Sequence, residues 1–247
     1  MRAIAAVFYR DYRQRLTNIA FVFWDMFVPL AYLALFGTGF ERIVAPSFGY
    51  TAFLLPGVLG MITFTVAMNT SWGFFMDKDS GIFYEMLTYP ITRPQFLIGK
   101  IAFNVLLSLI GSALTIALGA VGMGVAIRWV TLPVTFVVIA ITTAGWFFLF
   151  SSLAIRLHRM DSFNTVTSAA YIILMLVSSM FYPVGDMPRW FRAIAWVNPM
   201  TWQVDVLRYT LFGAGAPAVT VLLESAAFVV FALIALALAA RALNRAD

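Results

Sequence analysis

Residues 51–76 read TAFLLPGVLGMITFTVAMNTSWGFFM, twenty-six residues without one charged side chain. A helix needs about 20 mostly apolar residues to cross the hydrocarbon core of a bilayer, and this stretch exceeds that. The whole chain agrees with it. Of its 247 residues, 62% are hydrophobic and 11% are charged, against roughly 25% charged in a soluble domain. Mean hydropathy is +0.92. The composition predicts an all-α integral membrane protein forming one transmembrane domain over residues 1–247.

Five further stretches reach spanning length: Ile19 to Phe40, Ile98 to Ile127, Val130 to Ile155, Phe163 to Tyr182 and Ala218 to Ala240. Six spans put both termini on one side. With the termini inside, eleven Lys and Arg fall in the inner connections. Five bases, Arg42, Arg128, Arg189, Arg192 and Arg208, fall in the outer ones. The excess of inner bases predicts cytoplasmic termini in a plasma (inner) membrane. Pro29 and Pro56 are expected to kink their spans, and the small residues GAVGMGVA at 119–126 to allow close helix packing at the end of the third.

The net charge of +5 is no sign of nucleic-acid binding in such a chain, where the location of bases matters more than their sum. There is no cysteine and only one histidine, His158. Disulfides and thiolate chemistry are excluded, and no metal site is expected. Clustered catalytic groups are also missing: there is no H-E-x-x-H, no nucleophile elbow, and no carboxylate cluster beyond DKD at 77–79. The opening MRAIAAVFYRDYRQRLTN has too short an apolar run for a signal peptide. Its alternating bases and apolar residues predict an interfacial helix over 1–17, apolar face in the membrane and bases on anionic lipid.

Two connections are unusual. Between spans two and three, 77–97 holds GIFYEMLTYPITRPQ. Gly81 to Tyr89 can form a short helix with Phe83 and Leu87 four apart on one face, ended by Pro90. Before the last span, 183–217 is rich in tryptophan. Met187 to Trp196 predicts one short helix, with Asp186 as N-cap and Pro188 in its first turn. Asn198-Pro199 breaks it, and Met200 to Phe212 predicts a second, stopped by Gly213 and Gly215. This segment is read either as an external re-entrant hairpin closing the mouth of a pathway or as an amphipathic loop on the outer surface.

The pairing of EMLTYPITRPQFLIGK (85–100) with FYPVGDMP (181–188) and VNPMTWQVDVLR (197–208) resembles the membrane subunits of type-2 ABC exporters. That family includes permeases for drugs, lipids, polysaccharides and teichoic-acid chains. The resemblance implies a six-span permease without its own nucleotide site, and so no enzyme. The only Gly-Lys, Gly99-Lys100, is followed by Ile101, so the phosphate-binding P-loop is absent. ATP and Mg would be bound by a separate ABC ATPase, in two copies, serving two permease copies in contact with membrane lipids; no cofactor is expected in this chain. It implies that the 77–97 loop carries the helix that couples to the ATPase. Phe83, Leu87, Glu85, Pro90, Arg93, Gly99 and Lys100 are the candidate coupling residues, with Phe83 and Leu87 facing water until the partner covers them. The alternative there is a solvated turn. Pro183, Asp186, Pro188, Asn198, Pro199, Asp205 and Arg208 are the candidate outer gate.

Two carboxylates, Asp25 and Glu224, fall inside predicted spans. A charge at mid-bilayer costs about 2.5–3.5 kcal/mol on insertion scales. They are read as interfacial or paired groups, or as participants in substrate passage. The leading function is export of a hydrophobic or amphipathic substrate, a drug or lipid first and a lipid-linked glycan second. A channel or ion-coupled carrier is the alternative within transport, and a lipid-modifying enzyme the alternative outside it.

Overall fold

The computed structural model describes residues 2–17, 19–41 and 49–244. Arg42 and Arg245, two of the bases used to orient the chain, lie outside the described residues. Ten α-helices account for most of the remainder, with no strand among the described residues. They are α1 (Arg2–Thr17), α2 (Ile19–Phe40), α3 (Tyr50–Asp79), α4 (Ile82–Thr88), α5 (Arg93–Ala117), α6 (Leu132–Arg156), α7 (Met160–Leu176), α8 (Arg189–Val197), α9 (Pro199–Phe212) and α10 (Ala218–Asn244).

Five helices, α2, α3, α5, α6 and α10, are long and apolar enough to cross a membrane. The expected fifth span is met by a shorter helix: α7 has 17 residues and stops at Leu176, not Tyr182. At 1.5 Å per residue it reaches about 25 Å, short of a full hydrocarbon core. The cause lies downstream. The Asn198 amide donates to the carbonyls of Leu174 (2.8 Å) and Val177 (2.6 Å), ending the helical ladder. The irregular chain that follows is buried at Ser178, Ser179 and Met180, where non-helical backbone at membrane depth is tolerated.

The central helix is α3, whose apolar window is 83% buried, against 22% for α2 and 17% for α10 at the periphery. It packs on α2, α5, α6 and α9. Close approach needs small residues: a Cβ at Gly57 would lie 2.6 Å from Met180 Cγ and 2.8 Å from its carbonyl oxygen. The start of α3 is held from outside. Glu41 accepts hydrogen bonds from the Thr51 hydroxyl (2.7 Å) and backbone N–H (2.8 Å), which hold its carboxyl below the usual range.

Three sequence expectations change. The third span ends earlier than Ile127. A π turn at Leu118–Gly122 follows α5, and Gly124 takes φ +70°, so the glycine-rich run leaves the helix; Gly119 packs closely against Leu55 of α3, and Gly122 against Leu118 of its own turn. Asp186 does not cap α8: it sits in a 3-10 turn, and Pro188, which holds Met187 extended, occupies the cap position. Third, α1 does not present all its bases to lipid. Val7 is fully buried, while Arg10 and Arg15 turn inward to carboxylates. Pro29 and Pro56 lie inside continuous helices.

Candidate functional site

At one end of the bundle the chain makes two sharp changes of direction around α4. Gly81 takes φ +80°, a left-handed conformation that lets α4 start directly after α3. At the other side Thr92 caps α5: its hydroxyl accepts from the Gln95 N–H, and the Gln95 side chain accepts from the Thr92 N–H. Pro90 and Ile91 lie between. The short helix is thereby fixed at both ends.

Its faces are not as the sequence suggested. Phe83 is 1% exposed, wedged edge-on between Phe74 (5.5 Å between ring centroids) and Phe96 (5.2 Å). It anchors α4 to the bundle and offers nothing to water. Leu87 is half-buried against the same core. The face left to solvent carries Ile82, Tyr84, Glu85, Thr88 and Tyr89, of which Tyr89 is 60% exposed. Spacing alone placed Phe83 and Leu87 together; only the aromatic neighbours on α3 and α5 decide which side they take.

Cationic side chains flanking α4 tie it to distant helices. Lys78, just before it, donates to the carbonyls of Ala154 (3.3 Å), Ile155 (2.5 Å) and Leu157 (3.2 Å), capping the C-terminus of α6. Arg93, just after it, donates to the Leu243 carbonyl (2.6 Å) in the last turn of α10. Arg93 therefore holds a neighbouring helix and does not stand beside Glu85 as a free surface group. From α4 itself, Met86 accepts from Arg10 of α1 through sulfur at 3.0 Å.

Arg10 leads into a buried charge cluster. It pairs with Asp77 of α3. Lys100 of α5 lies 2.8 Å from the other Asp77 oxygen and 3.1 Å from Asp11 of α1. Lys100 is 2% exposed, so its partners must neutralise it there. Gly99 lets α1 approach: a Cβ there would lie 2.7 Å from Val7 and 3.0 Å from the Ile4 carbonyl. Beside this cluster Asp25 accepts from Arg15 (3.1 Å) and Asn69 (2.6 Å), the paired state anticipated as one reading of that residue. Asp11, Asp77, Arg10 and Lys78 were not singled out from the sequence. The DKD run was visible, but its partners, Arg10, Lys100 and the carbonyls ending α6, lie on other helices, up to 79 positions away.

At the opposite end, α8 and α9 form a helical pair joined at Asn198. Its two arms differ: α8 keeps Trp190 and Trp196 exposed, while α9 buries Gln203, Val204, Leu207 and Arg208 among α3, α6 and α10. Asn198 caps α9 through the Met200 N–H (2.9 Å), with Pro199 at the first helical position. Gln203 accepts from Trp146 Nε1 (2.6 Å) and donates to the Thr63 hydroxyl (2.6 Å), joining α9, α6 and α3. Arg208 pairs with Asp205 (2.6 Å) and donates to the carbonyl of Ser179 (2.8 Å), with its guanidinium over the Phe53 ring. Asp205 also accepts from Ser179 (2.7 Å). Thus Asn198 with Pro199 at the start of α9, and Asp205 with Arg208 two to three turns along it, hold separate points of the chain at and after the end of α7, whereas Pro183, Asp186 and Pro188 stay on the exposed approach to α8. Glu224 is buried on α10, with one oxygen lacking a hydrogen-bond partner among the described residues.

A bundle of long apolar helices, a short exposed helix at one end and a helical pair set into the other describe an integral membrane protein. Residues 2–212 match the family described as ABC-2 type transporter, and the chain belongs to that family. It is similar to the putative transport permease ycf38 of Porphyra purpurea, 26% identical over 187 residues that cover 73% of this chain and 64% of that protein. It is also similar to the daunorubicin resistance ABC transporter permease protein DrrB1 of Streptomyces coeruleorubidus, 26% identical over 75% of this chain and 66% of the relative. Nodulation protein J of Rhizobium leguminosarum bv. viciae is 25% identical over 84% and 82% of the two chains. The chain thus spans less than two thirds of the length of the ycf38 protein it matches.

Proposed function

We propose that this chain is the permease subunit of an ATP-driven exporter, energised by a separate ATPase that docks on the exposed face of α4. The observation that carries this reading is the construction of α4. One side is plugged into the core by Phe83 while the other leaves Ile82, Glu85 and Tyr89 in water. Exposed tyrosine and isoleucine around one carboxylate suit a helix laid in a partner's groove. A partner moves a protein only through unequal contacts with its two states. Here a displacement of α4 would be felt at once by α6 through Lys78, by α10 through Arg93 and by α1 through Met86 and Arg10. ATP and Mg would sit in the ATPase, two copies of which would serve a pair of permeases.

The excess of inner bases supports reading this end, with both termini, as cytoplasmic in a plasma (inner) membrane. The buried pair of Arg208 and Asp205 would then hold the outer end shut. The relatives' printed names, a daunorubicin resistance permease and a nodulation protein among them, favour a hydrophobic or amphipathic cargo, a drug or lipid before a lipid-linked glycan. The test is co-purification with a candidate ATPase: the wild-type chain retains it, and Glu85→Arg loses it. Equal retention by both would remove the assigned docking face. Because the chain has no cysteine, single cysteines at Asp79 and Asp186 test the orientation. An impermeant thiol reagent is expected to label Asp186→Cys in intact cells and spare Asp79→Cys; the reverse pattern would invert the map.

A further inference from the structure

A cavity of about 490 Å³ lies between α1, α3, α5 and α7, next to the charge cluster. That size is within the range of about 300–1,000 Å³ typical of small-molecule sites. Its wall contains charges, but they are spoken for. Arg15 is paired with Asp25, and Lys100 with Asp11 and Asp77. An ionic guest would find no free counter-charge and would have to break an existing pair. The uncharged polar groups are in the opposite condition. The side chains of Gln14, Trp72 and Asn164 make no hydrogen bond among the described residues, and Asn69 has spent one amide N–H on Asp25 and keeps lone pairs on its oxygen. Trp72 and Phe103 add aromatic surface. At Gly73 a Cβ would meet no atom within 4 Å, so the missing side chain leaves the cavity open on that side.

Gln14 and Asn164 are exposed at the mouth, and α7 continues from there with the apolar side chains of Ile172 and Ile173 exposed. We propose that this cavity binds the uncharged, hydroxyl- or amide-bearing head of an amphiphile whose tail remains in the bilayer. Hydroxyls exchange hydrogen bonds with the Gln14, Asn69 and Asn164 amides, and the apolar face of the head lies against Trp72 and Phe103. The assignment deepens the exporter reading by naming the chemistry of its cargo, and it rests on that reading only for the claim that the head is transported. A head of the same chemistry on a resident membrane lipid would occupy the cavity in the same way.

Photo-crosslinking separates these cases. The full-length chain in phosphatidylcholine nanodiscs is exposed to two amphiphiles with the same alkyl tail and a diazirine on the carbon next to the head, one with a glucoside head and one with a sulfate head. The glucoside is expected to form adducts around residues 69–73 and 103, and the sulfate to form roughly fivefold fewer, the equivalent of about one hydrogen bond. Gly73→Leu fills the space and abolishes the glucoside adducts. Gln14→Ala with Asn164→Ala lowers them about fivefold or more while leaving every other contact of the fold in place. Equal labelling by the two heads, or unchanged labelling in both variants, would overturn the proposal. With the ATPase bound and ATP supplied, adducts fall if the head is cargo and persist if it belongs to a resident lipid; both results support the site. None of the first measurements needs the ATPase, so their failure counts against the cavity, and failure of the ATPase to bind counts against the exporter reading instead.

Discussion

The ammonium of Lys100 lies 2.8 Å from the Asp77 carboxylate, on two helices that meet at the bundle's charged end. Neither group is more than 4% exposed in its side chain, so each depends on the other for the water it has lost. With Arg10 and Asp11 they bind α1, α3 and α5 into one unit beneath α4.

Removing the cation alone is therefore expected to be costly. Lys100→Met leaves Asp11 and Asp77 beside each other without it, and breaking a buried pair costs about 3–5 kcal/mol. Adding Asp11→Asn removes the carboxylate that loses its only buried cation, since Asp77 keeps Arg10. Thermal unfolding in detergent should find Lys100→Met with Asp11→Asn more stable than Lys100→Met alone. A further loss in the double variant would show that the cluster is not held by charge pairing.

Lys78 and Arg93 should matter to coupling more than to folding. Each makes charged hydrogen bonds worth about 1.5–3 kcal/mol to the last carbonyls of another helix. Lys78→Met and Arg93→Met are expected to leave ATPase co-purification intact and to reduce export per ATP hydrolysed. Lys78→Arg, which retains the charge and the donors, should recover part of the loss. Wild-type coupling in both methionine variants would show that α4 drives the helices by another route.

At the hairpin end, Asn198 serves three partners, the Leu174 and Val177 carbonyls and the Met200 N–H. Asn198→Ala loses an N-cap, typically about 1 kcal/mol, and leaves two half-buried carbonyls short of donors. Adding Pro199→Ala relaxes the chain reversal as well. Expression should survive, while a protease site introduced in the 183–188 approach is cut faster and export changes. Unaltered cleavage and export would return the hairpin to a passive surface role.

The sequence made the long helices plain because about 20 apolar residues leave few options in a membrane. It also marked the limits of α4, since Gly81 and Pro90 act through their own backbones. What it left hidden depends on residues far apart in the chain. The end of α7 is decided by the Asn198 amide, and the buried side of α4 by Phe74 and Phe96. Asp25 was recognisable as a carboxylate needing a partner; that Asn69 shares it with Arg15 follows only from the packing of α2 on α3. Lys100 illustrates both sides. Its place in a motif was legible, yet its work as the counter-ion of Asp77 and Asp11 was not.

The claim that α4 receives the motion of a separate ATPase is tested most directly by ATP hydrolysis and export in the assembled complex. Glu85→Arg reverses the charge at the centre of the exposed face, and Ile82→Ala with Tyr89→Ala removes its apolar part, all without touching the Phe83 anchor. A charged hydrogen bond at the interface is worth about 1.5–3 kcal/mol, so tenfold or greater weakening of ATPase binding is expected. The account predicts correctly inserted permease with weakened ATPase binding and, with it, reduced substrate-stimulated hydrolysis and export. Wild-type binding, stimulation and export in both variants would contradict it.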